Sequence, residues 1–320
     1  MNNIYSSVVI GLGRIGALYP SKKIPRNHTA AYINHQNINL IAGIDPDPQA
    51  RSQFKRLWGE DIKLFSSIDE MFNAGLRPDI VSICTSPDEM QKNVKSFNSY
   101  KPKIFFLEKP AISSEEQCIE LELSLNNTPA AINYHRCWDP KHKKFFKKIN
   151  SKKIFSSRVL YSKGLFNYGS HMIALLIQNF GDVHSVTRIL SDKNTNKIDD
   201  ISESFIIHFE RGFSTIFQGI EDLDYDLLEL DVITDDGIYS LKSGGCRERH
   251  EVPTMDLFYE NYSSLGDAMT DEEDGQVEGL SQAIENIVNF LDKKNNKLEC
   301  DLKSAINVYK IINQITNKSL

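Results

Sequence analysis

The residues Gly11-Leu12-Gly13-Arg14-Ile15-Gly16 follow directly on the apolar run Val8-Val9-Ile10. A G-x-G-x-x-G at that place suits dinucleotide chemistry. Gly11 permits a tight turn, Gly13 lets backbone N–H groups approach a pyrophosphate, and Gly16 lets the next helix pack on the strand. Arg14 and Ile15 complete the loop, with Arg14 placed to reach the pyrophosphate, and the anion is expected over the N-terminus of the following helix. A second candidate strand, Leu40 to Ile44, ends in Asp45, an acid positioned for the two hydroxyls of an adenosine ribose. Asp45 is an anion where a 2′-phosphate would lie. Pro46, Asp47 and Pro48 supply no cation and Arg51 is one helical turn away, so the expected cofactor is NAD rather than NADP.

These residues need a scaffold, and the first part of the chain alternates strand and helix signals. Asp47 to Trp58 has helical spacing, Ser67 to Glu70 forms an S-x-x-E capping box, and Asp79 to Cys84 is a β-branched run. A helix near Asp88 to Tyr100, a strand Lys103 to Leu107, a helix opened by Ser113 with Glu116 three residues on, and a strand Ala130 to Tyr134 follow. Repeated β-α units predict an α/β fold with an N-terminal Rossmann domain, a doubly wound parallel sheet whose ligands bind at the carboxyl ends of the strands. Later strands at Ile154 to Ser162, Ser202 to Phe209, Phe213 to Gly219 and Leu227 to Thr234 are longer and alternating, and Asp236-Gly237 marks a hairpin. They predict a C-terminal α+β domain on a mostly antiparallel sheet. The expected division is 1–130 for dinucleotide binding and 131–320 for substrate and oligomerisation. Terminal helices Glu278 to Leu291 and Leu302 to Thr316 are expected to return to the first domain, after an acidic surface loop from Asp267 to Asp274.

A chain of 320 residues suits two domains, and a net charge of −6 disfavours nucleic acid or an anionic membrane as partner. Five cysteines without C-x-x-C spacing suit neither a disulfide framework nor a zinc site, and no metal is expected. With no signal-peptide core and no long apolar run, a cytoplasmic protein acting on a small molecule is expected.

Phe106-Leu107-Glu108-Lys109-Pro110 closes the fifth strand, and with it the chain resembles the Gfo/Idh/MocA family of sugar oxidoreductases (glucose-fructose oxidoreductase, inositol dehydrogenase, rhizopine catabolism). In that family a Glu-Lys-Pro at this place carries the active-site lysine. Ile83-Cys84-Thr85 is similar to the strand end beside the nicotinamide ribose, Asn133-Tyr134-His135-Arg136 to Asp139-Pro140 to the entry into the second domain, and Gly164-Leu165-Phe166-Asn167-Tyr168-Gly169-Ser170-His171 to the Gly-Ser-His segment. The resemblance implies an NAD(H)-dependent oxidoreductase acting on a ring hydroxyl of a sugar or nucleotide-sugar, and by analogy a homo-oligomer. It implies Lys109 and His171 as catalytic, Thr85 and Glu108 at the cofactor, and Tyr134, Arg136, Asn167 and Tyr168 toward the substrate. The chain departs from the pattern at Asn167 and Ala174, where many members have acids, at Met90 in place of a frequent histidine, and at Ser86 in place of a frequent proline. The segment Ala17 to Asn27 reads as an insertion beside the cofactor, either a flap or an ordinary surface loop.

Oxidising a secondary alcohol moves a hydride to the nicotinamide while a base takes the hydroxyl proton. Lys109 suits that task if burial and the positive ring lower its pKa, and His171 suits it without any shift. Outside the family pattern, a lysine before a proline is a solvated turn residue and His171 a helix-cap or core histidine. Glu108 reads as a partner to Lys109, Arg136 as an anion clamp or a local ion pair, and Asn167 as an orienting residue without charge. The basic run Lys141 to Lys153 with Phe145 and Phe146 reads as a solvated amphipathic helix before a nucleotide diphosphate site. Two other readings stand: a dehydrogenase of another polyol, and a non-catalytic regulator that keeps the dinucleotide as a ligand.

Overall fold

The computed structural model describes residues 3–20, 24–97, 99–189, 200–266, 269–271 and 278–316. The chain divides into two compact units, residues 1–138 with 278–309 and residues 139–277 with 310–320. The first unit therefore runs on to Trp138, past the boundary expected at 130.

The apolar runs of the first unit become parallel strands buried on both faces. They are β1 (Tyr5–Ile10), β2 (Ile38–Ile44), β3 (Lys63–Phe65), β4 (Ile80–Ile83), β5 (Ile104–Leu107) and β6 (Ala130–Ile132), in the sheet order β3-β2-β1-β4-β5-β6. Every neighbouring pair is parallel. Val8, Val9, Ile80, Val81, Phe106 and Leu107 are fully buried, as strands covered on both faces require. The order reverses direction between β1 and β4, where ligands of such sheets bind.

The crossovers are α1 (His28–Ile33), α2 (Pro48–Trp58), α3 (Ile68–Asn73), α4 (Pro87–Ser96) and α5 (Glu115–Leu125). Local chemistry sets their ends. Asp47 caps α2 by accepting the Gln49 N–H, Pro48 occupies its first turn, and Gly59 ends it at φ 90°. Ser67 Oγ accepts the Glu70 N–H at 3.2 Å, but the Glu70 carboxylate turns to the N–H of Ser66 at 2.7 Å, one residue before the place that a capping box prescribes. Helix α5 is capped by Ser114, which accepts the Gln117 N–H, rather than by Ser113, whose hydroxyl bonds the Gln117 side chain.

The second unit begins with α6 (Pro140–Ile149), β7 (Ile154–Tyr161), α7 (Ser170–Phe180) and β8 (Val183–Arg188). Strands β9 (Phe205–Phe209), β10 (Ser214–Gly219), β11 (Leu228–Thr234), β12 (Gly237–Lys242), β13 (Arg247–Glu251), β14 (Pro253–Met255), β15 (Ser263–Leu265) and β16 (Met269–Asp271) follow. Eight of these strands form one sheet in the order β16-β13-β12-β11-β7-β10-β9-β8. Its pairs are antiparallel except β7 with β10. The β11–β12 hairpin turns one residue earlier than expected, at Asp235-Asp236, with Gly237 already paired to Thr234 as the first residue of β12. Apart from β16, the acidic stretch Asp267–Asp274 lies outside the described residues. Phe145 and Phe146 of the basic α6 are fully buried and join an aromatic core with Phe180, Phe209, Phe213 and Tyr239, so α6 is amphipathic with its lysines on the outer face.

Helix α8 (Gly279–Leu291) and α9 (Leu302–Thr316) close the chain, and α8 lies wholly in the first unit. Asp292, just after α8, accepts from Tyr5 Oη at 2.7 Å and from Asn3 Nδ2 at 3.0 Å, and Trp138 Nε1 donates to Asn286 at 3.1 Å. Among the described residues no helix is long and apolar enough to cross a membrane.

Candidate active site

The glycine loop follows β1 at the point of reversal. Gly11 has φ 85°, and a Cβ there would lie 2.7 Å from the carbonyl oxygen of Cys84. A Cβ on Gly16 would lie 1.9 Å from the Gly11 carbonyl oxygen, so both positions accept only glycine. Gly13 differs, because a Cβ on it would meet nothing within 4 Å. Two glycines thus build the turn and the third opens it outward, which fits a pyrophosphate drawn against bare backbone. Arg14 is exposed beside it and Ile15 is half-buried.

The element after the loop differs from expectation. In place of a long helix there is one five-residue π-type turn, Arg14–Leu18, closed by the Leu18 and Tyr19 N–H groups. Tyr19 precedes Pro20, which drives it out of the helical region to φ −61°, ψ 132°. So short a turn removes most of the expected helix dipole, and the loop's own backbone remains as the anion cradle. The inserted segment is tied at its base. Asn27, fully buried, donates to the Tyr19 carbonyl at 2.8 Å and caps α1, while Thr29 Oγ1 donates to the Gly16 carbonyl at 2.8 Å. Residues 21–23 of this segment lie outside the described residues.

Asp45 ends β2 with both carboxylate oxygens engaged. Oδ2 accepts the Leu12 N–H at 2.8 Å and Oδ1 accepts the Asp47 N–H at 2.9 Å. Arg51 Nη1 donates to the carbonyls of Asp45 and Pro46 at 2.6 and 3.0 Å, so this cation lies closer to the ribose position than one helical turn suggested.

Thr85 follows β4, half-buried, with its hydroxyl accepting from Asn93 Nδ2 at 3.3 Å. Lys109, half-buried, follows β5 on the same carboxyl edge. Between them, Glu108 anchors a buried polar cluster that the sequence reading did not anticipate. His28 is fully buried; its Nε2 lies 2.8 Å from Glu108 Oε1 and its Nδ1 lies 2.8 Å from Ser82 Oγ. Tyr32 Oη lies 2.6 Å from the same Ser82 Oγ, Asn133 Nδ2 donates to Glu108 Oε1, and the Lys109 N–H reaches Glu108 Oε2 at 3.3 Å. Burial, with the Glu108 charge adding to it, pushes the Cys84 thiol well up. Asn133 Oδ1 is buried without a hydrogen-bond partner among the described residues, an open acceptor beside Glu108 that suits a ligand donor. No sequence spacing linked His28, Ser82 and Glu108, which lie on three different elements.

Tyr134 is only 2% exposed, and its burial, reinforced by Cys300 and Cys137, pushes its hydroxyl far up. It is a core side chain of the first unit rather than an open substrate donor. Arg136 is half-buried in the turn after β6.

In the second unit, His171 is the second residue of α7 and 5% exposed, Asn167 is exposed and Tyr168 half-buried, and Ala174 is buried one turn further along α7. They follow Gly164 at φ 94°, and Phe166 and Asn167 donate their N–H groups to the two carboxylate oxygens of Asp200 at 2.7 Å each. Asp200 thus brings an acid to this loop from outside it, a residue that the motif itself does not contain.

Residues 6–130 match the Gfo/Idh/MocA oxidoreductase family, NAD-binding Rossmann fold. No curated protein matches the chain. Among solved structures, an oxidoreductase from Agrobacterium radiobacter crystallised with NAD+, L-tartaric acid and magnesium is similar at 14% identity and TM-score 0.76, over 97% of this chain and 95% of that one. A dehydrogenase from Chromobacterium violaceum is similar at 13% identity and TM-score 0.77, over 98% and 95%. The WlbA dehydrogenase from Bordetella pertussis, in complex with NADH and UDP-GlcNAcA, is similar at 14% identity and TM-score 0.75, over 98% and 95%. At these identities the likeness establishes the fold.

Proposed function

With residues 6–130 a Gfo/Idh/MocA oxidoreductase domain that binds NAD, we propose that the protein is an NAD(H)-dependent oxidoreductase of a ring hydroxyl on a sugar or nucleotide-sugar. One observation carries this reading. The loops after β1, β4 and β5, neighbours in one parallel sheet, bring the open Gly13 cradle, Thr85 and Lys109 to the same carboxyl edge. The sugar-nucleotide complex of the Bordetella dehydrogenase supports the substrate class.

NAD, when bound, supplies the hydride acceptor or donor. Gly11 and Gly16 shape the loop that receives its pyrophosphate, Asp45 accepts from the adenosine ribose, and Thr85 and Glu108 border the nicotinamide half. Lys109 takes the hydroxyl proton in oxidation and returns it in reduction, at its Nζ. His171 orients the substrate hydroxyl, with Asn167 and Tyr168 supplying polar contacts. Arg136 remains a candidate clamp for an anionic substrate group. The protein self-associates through the open face of the second unit's sheet, where the cross-strand row Ile216, Arg158, Asp231, Ser240 and Arg249 lies. The location is taken as cytoplasmic.

The test incubates the protein with NAD and a panel of sugars, nucleotide-sugars and other polyols while following nicotinamide absorbance. Turnover of a sugar or nucleotide-sugar supports the reading. Turnover confined to other polyols replaces the substrate class, and tight NAD binding without turnover across the panel replaces the enzyme with a dinucleotide-binding regulator.

A further inference from the structure

The proposed chemistry uses Glu108 and Lys109 but gives no task to the histidine beneath them. His28 has no exposed surface, and an imidazole so enclosed needs each ring nitrogen satisfied. Both are. Tyr32 and Ser82, on the Nδ1 side, are themselves fully enclosed, and burial, only partly offset by the Ser82 bond, drives the Tyr32 hydroxyl far up, so Tyr32 keeps its proton. With Glu108 Oε1 already accepting from the Asn133 amide at the other end, one self-consistent direction runs through the chain. Tyr32 O–H donates to Ser82, Ser82 O–H donates to His28 Nδ1, and His28 Nε2–H donates to Glu108 Oε1. That order makes His28 neutral and fixes its tautomer.

Glu108 Oε1 then receives two donors, from His28 and Asn133, which fills its lone pairs. Among the described residues Oε2 receives the long Lys109 N–H contact at 3.3 Å, which leaves it acceptor capacity. Phe106 also packs against the His28 ring, with centroids 4.5 Å apart and the planes tilted by 41°. A carboxylate anchored through one oxygen and open at the other is oriented as a bearing surface for a ligand donor.

We infer that His28, locked by Ser82 and Tyr32, is a positioning residue that holds Glu108 in one orientation at the end of β5, with Oε2 turned to a donor of the nicotinamide half of NAD. This rests on the proposed function, and the groups that face His28 are Glu108, Tyr32 and Cys84 through Tyr32.

The test has two arms on the full-length protein. In the first, ¹⁵N-histidine resonances are followed from about pH 6 to 8, with that of His28 identified by its loss in His28→Gln. The expected signature is a neutral ring protonated at Nε2 throughout, with the Nδ1 resonance moving in Ser82→Ala. A His28 that titrates near the ordinary histidine value, or carries its proton on Nδ1, overturns the inference. In the second arm His28→Leu removes the donor to Glu108, and kcat is expected to fall about 10- to 100-fold with substrate KM little changed. His28→Gln, whose amide N–H can reach the same oxygen, is expected to recover most of that loss. Parent-like kinetics in His28→Leu, or no recovery with Gln, overturns it as well. If His28→Leu does not fold, Tyr32→Phe with Ser82→Ala carries both arms, with a smaller loss of kcat expected. A parent that binds NAD but turns nothing over defeats the proposed function alone; the resonances and the NAD affinities of the same variants then decide the role of His28.

Discussion

Leu12 donates its backbone N–H to Asp45 Oδ2 at 2.8 Å, so the glycine loop after β1 and the acid that ends β2 are held as one piece. The carboxylate thus has a structural task, and in the proposed function a recognition task as well. Its charge opposes a 2′-phosphate, while Arg51, drawn onto the Asp45 and Pro46 carbonyls, is the nearby cation that acts the other way. The charge on Asp45 is expected to win, giving NAD a Kd at least about tenfold below that of NADP. Asp45→Asn keeps an acceptor for Leu12 and removes the charge, so it is expected to narrow the preference without loosening the loop. Calorimetric titration of both dinucleotides checks this, and equal affinities in the parent defeat it.

Lys109→Met keeps the aliphatic stem and removes the proton carrier. Turnover is expected to fall about 10²- to 10⁴-fold with NAD affinity within a few-fold of the parent. Steady-state kinetics beside a binding isotherm separate this from a structural effect, in which both quantities would fall together.

Asp292 ties the end of α8 to the first strand. Lys294, Tyr5 and Asn3, in that order of effect, hold its carboxyl down to about 2. A carboxyl lowered on folding contributes stability above its unfolded value, near 4, and loses it as pH falls toward about 2. Asp292→Asn is therefore expected to melt below the parent at pH 7, with the gap closing between about pH 4 and 2. Thermal melts across that range check the sign; a gap that widens in acid contradicts it.

On the open sheet face of the second unit, Ile216 and Ile233 are 41% and 43% exposed. Ile216→Lys with Ile233→Lys adds charge to that face without entering the core. Light scattering is expected to show the parent as an oligomer and the double variant at or near monomer mass. A parent already monomeric removes the proposed interface.

What the sequence disclosed follows from how far each signal reaches along the chain. Val8-Val9-Ile10 and Phe105-Phe106-Leu107 are buried on both faces, so their composition alone marks parallel strands, and the glycine spacing marks the turn that follows the first of them. Strand β3, three residues long, is too short to carry a period, and β13, Arg247-Glu248-Arg249-His250-Glu251, has a composition that reads as a solvated stretch although it pairs with β12. The candidate site was legible where it is contiguous, as in Glu108-Lys109. It was hidden where the partners come from separate elements, as with His28, Ser82 and Asn133 around Glu108, or Asp200 beneath Asn167. Tyr134 shows the opposite error, a residue adjacent in sequence to candidate site positions whose side chain turns into the core.

The bond from Asn27 to the Tyr19 carbonyl joins the two ends of the inserted segment. Thr29 separately grips the Gly16 carbonyl and ties the start of α1 to the glycine turn. Lengthening a chain segment between fixed ends costs little, about 0.6 kcal/mol per doubling. The stretch between Tyr19 and Asn27 is thus a place where an evolving lineage can change length and composition, while Gly11 and Gly16, which no side chain can replace, keep the turn constant.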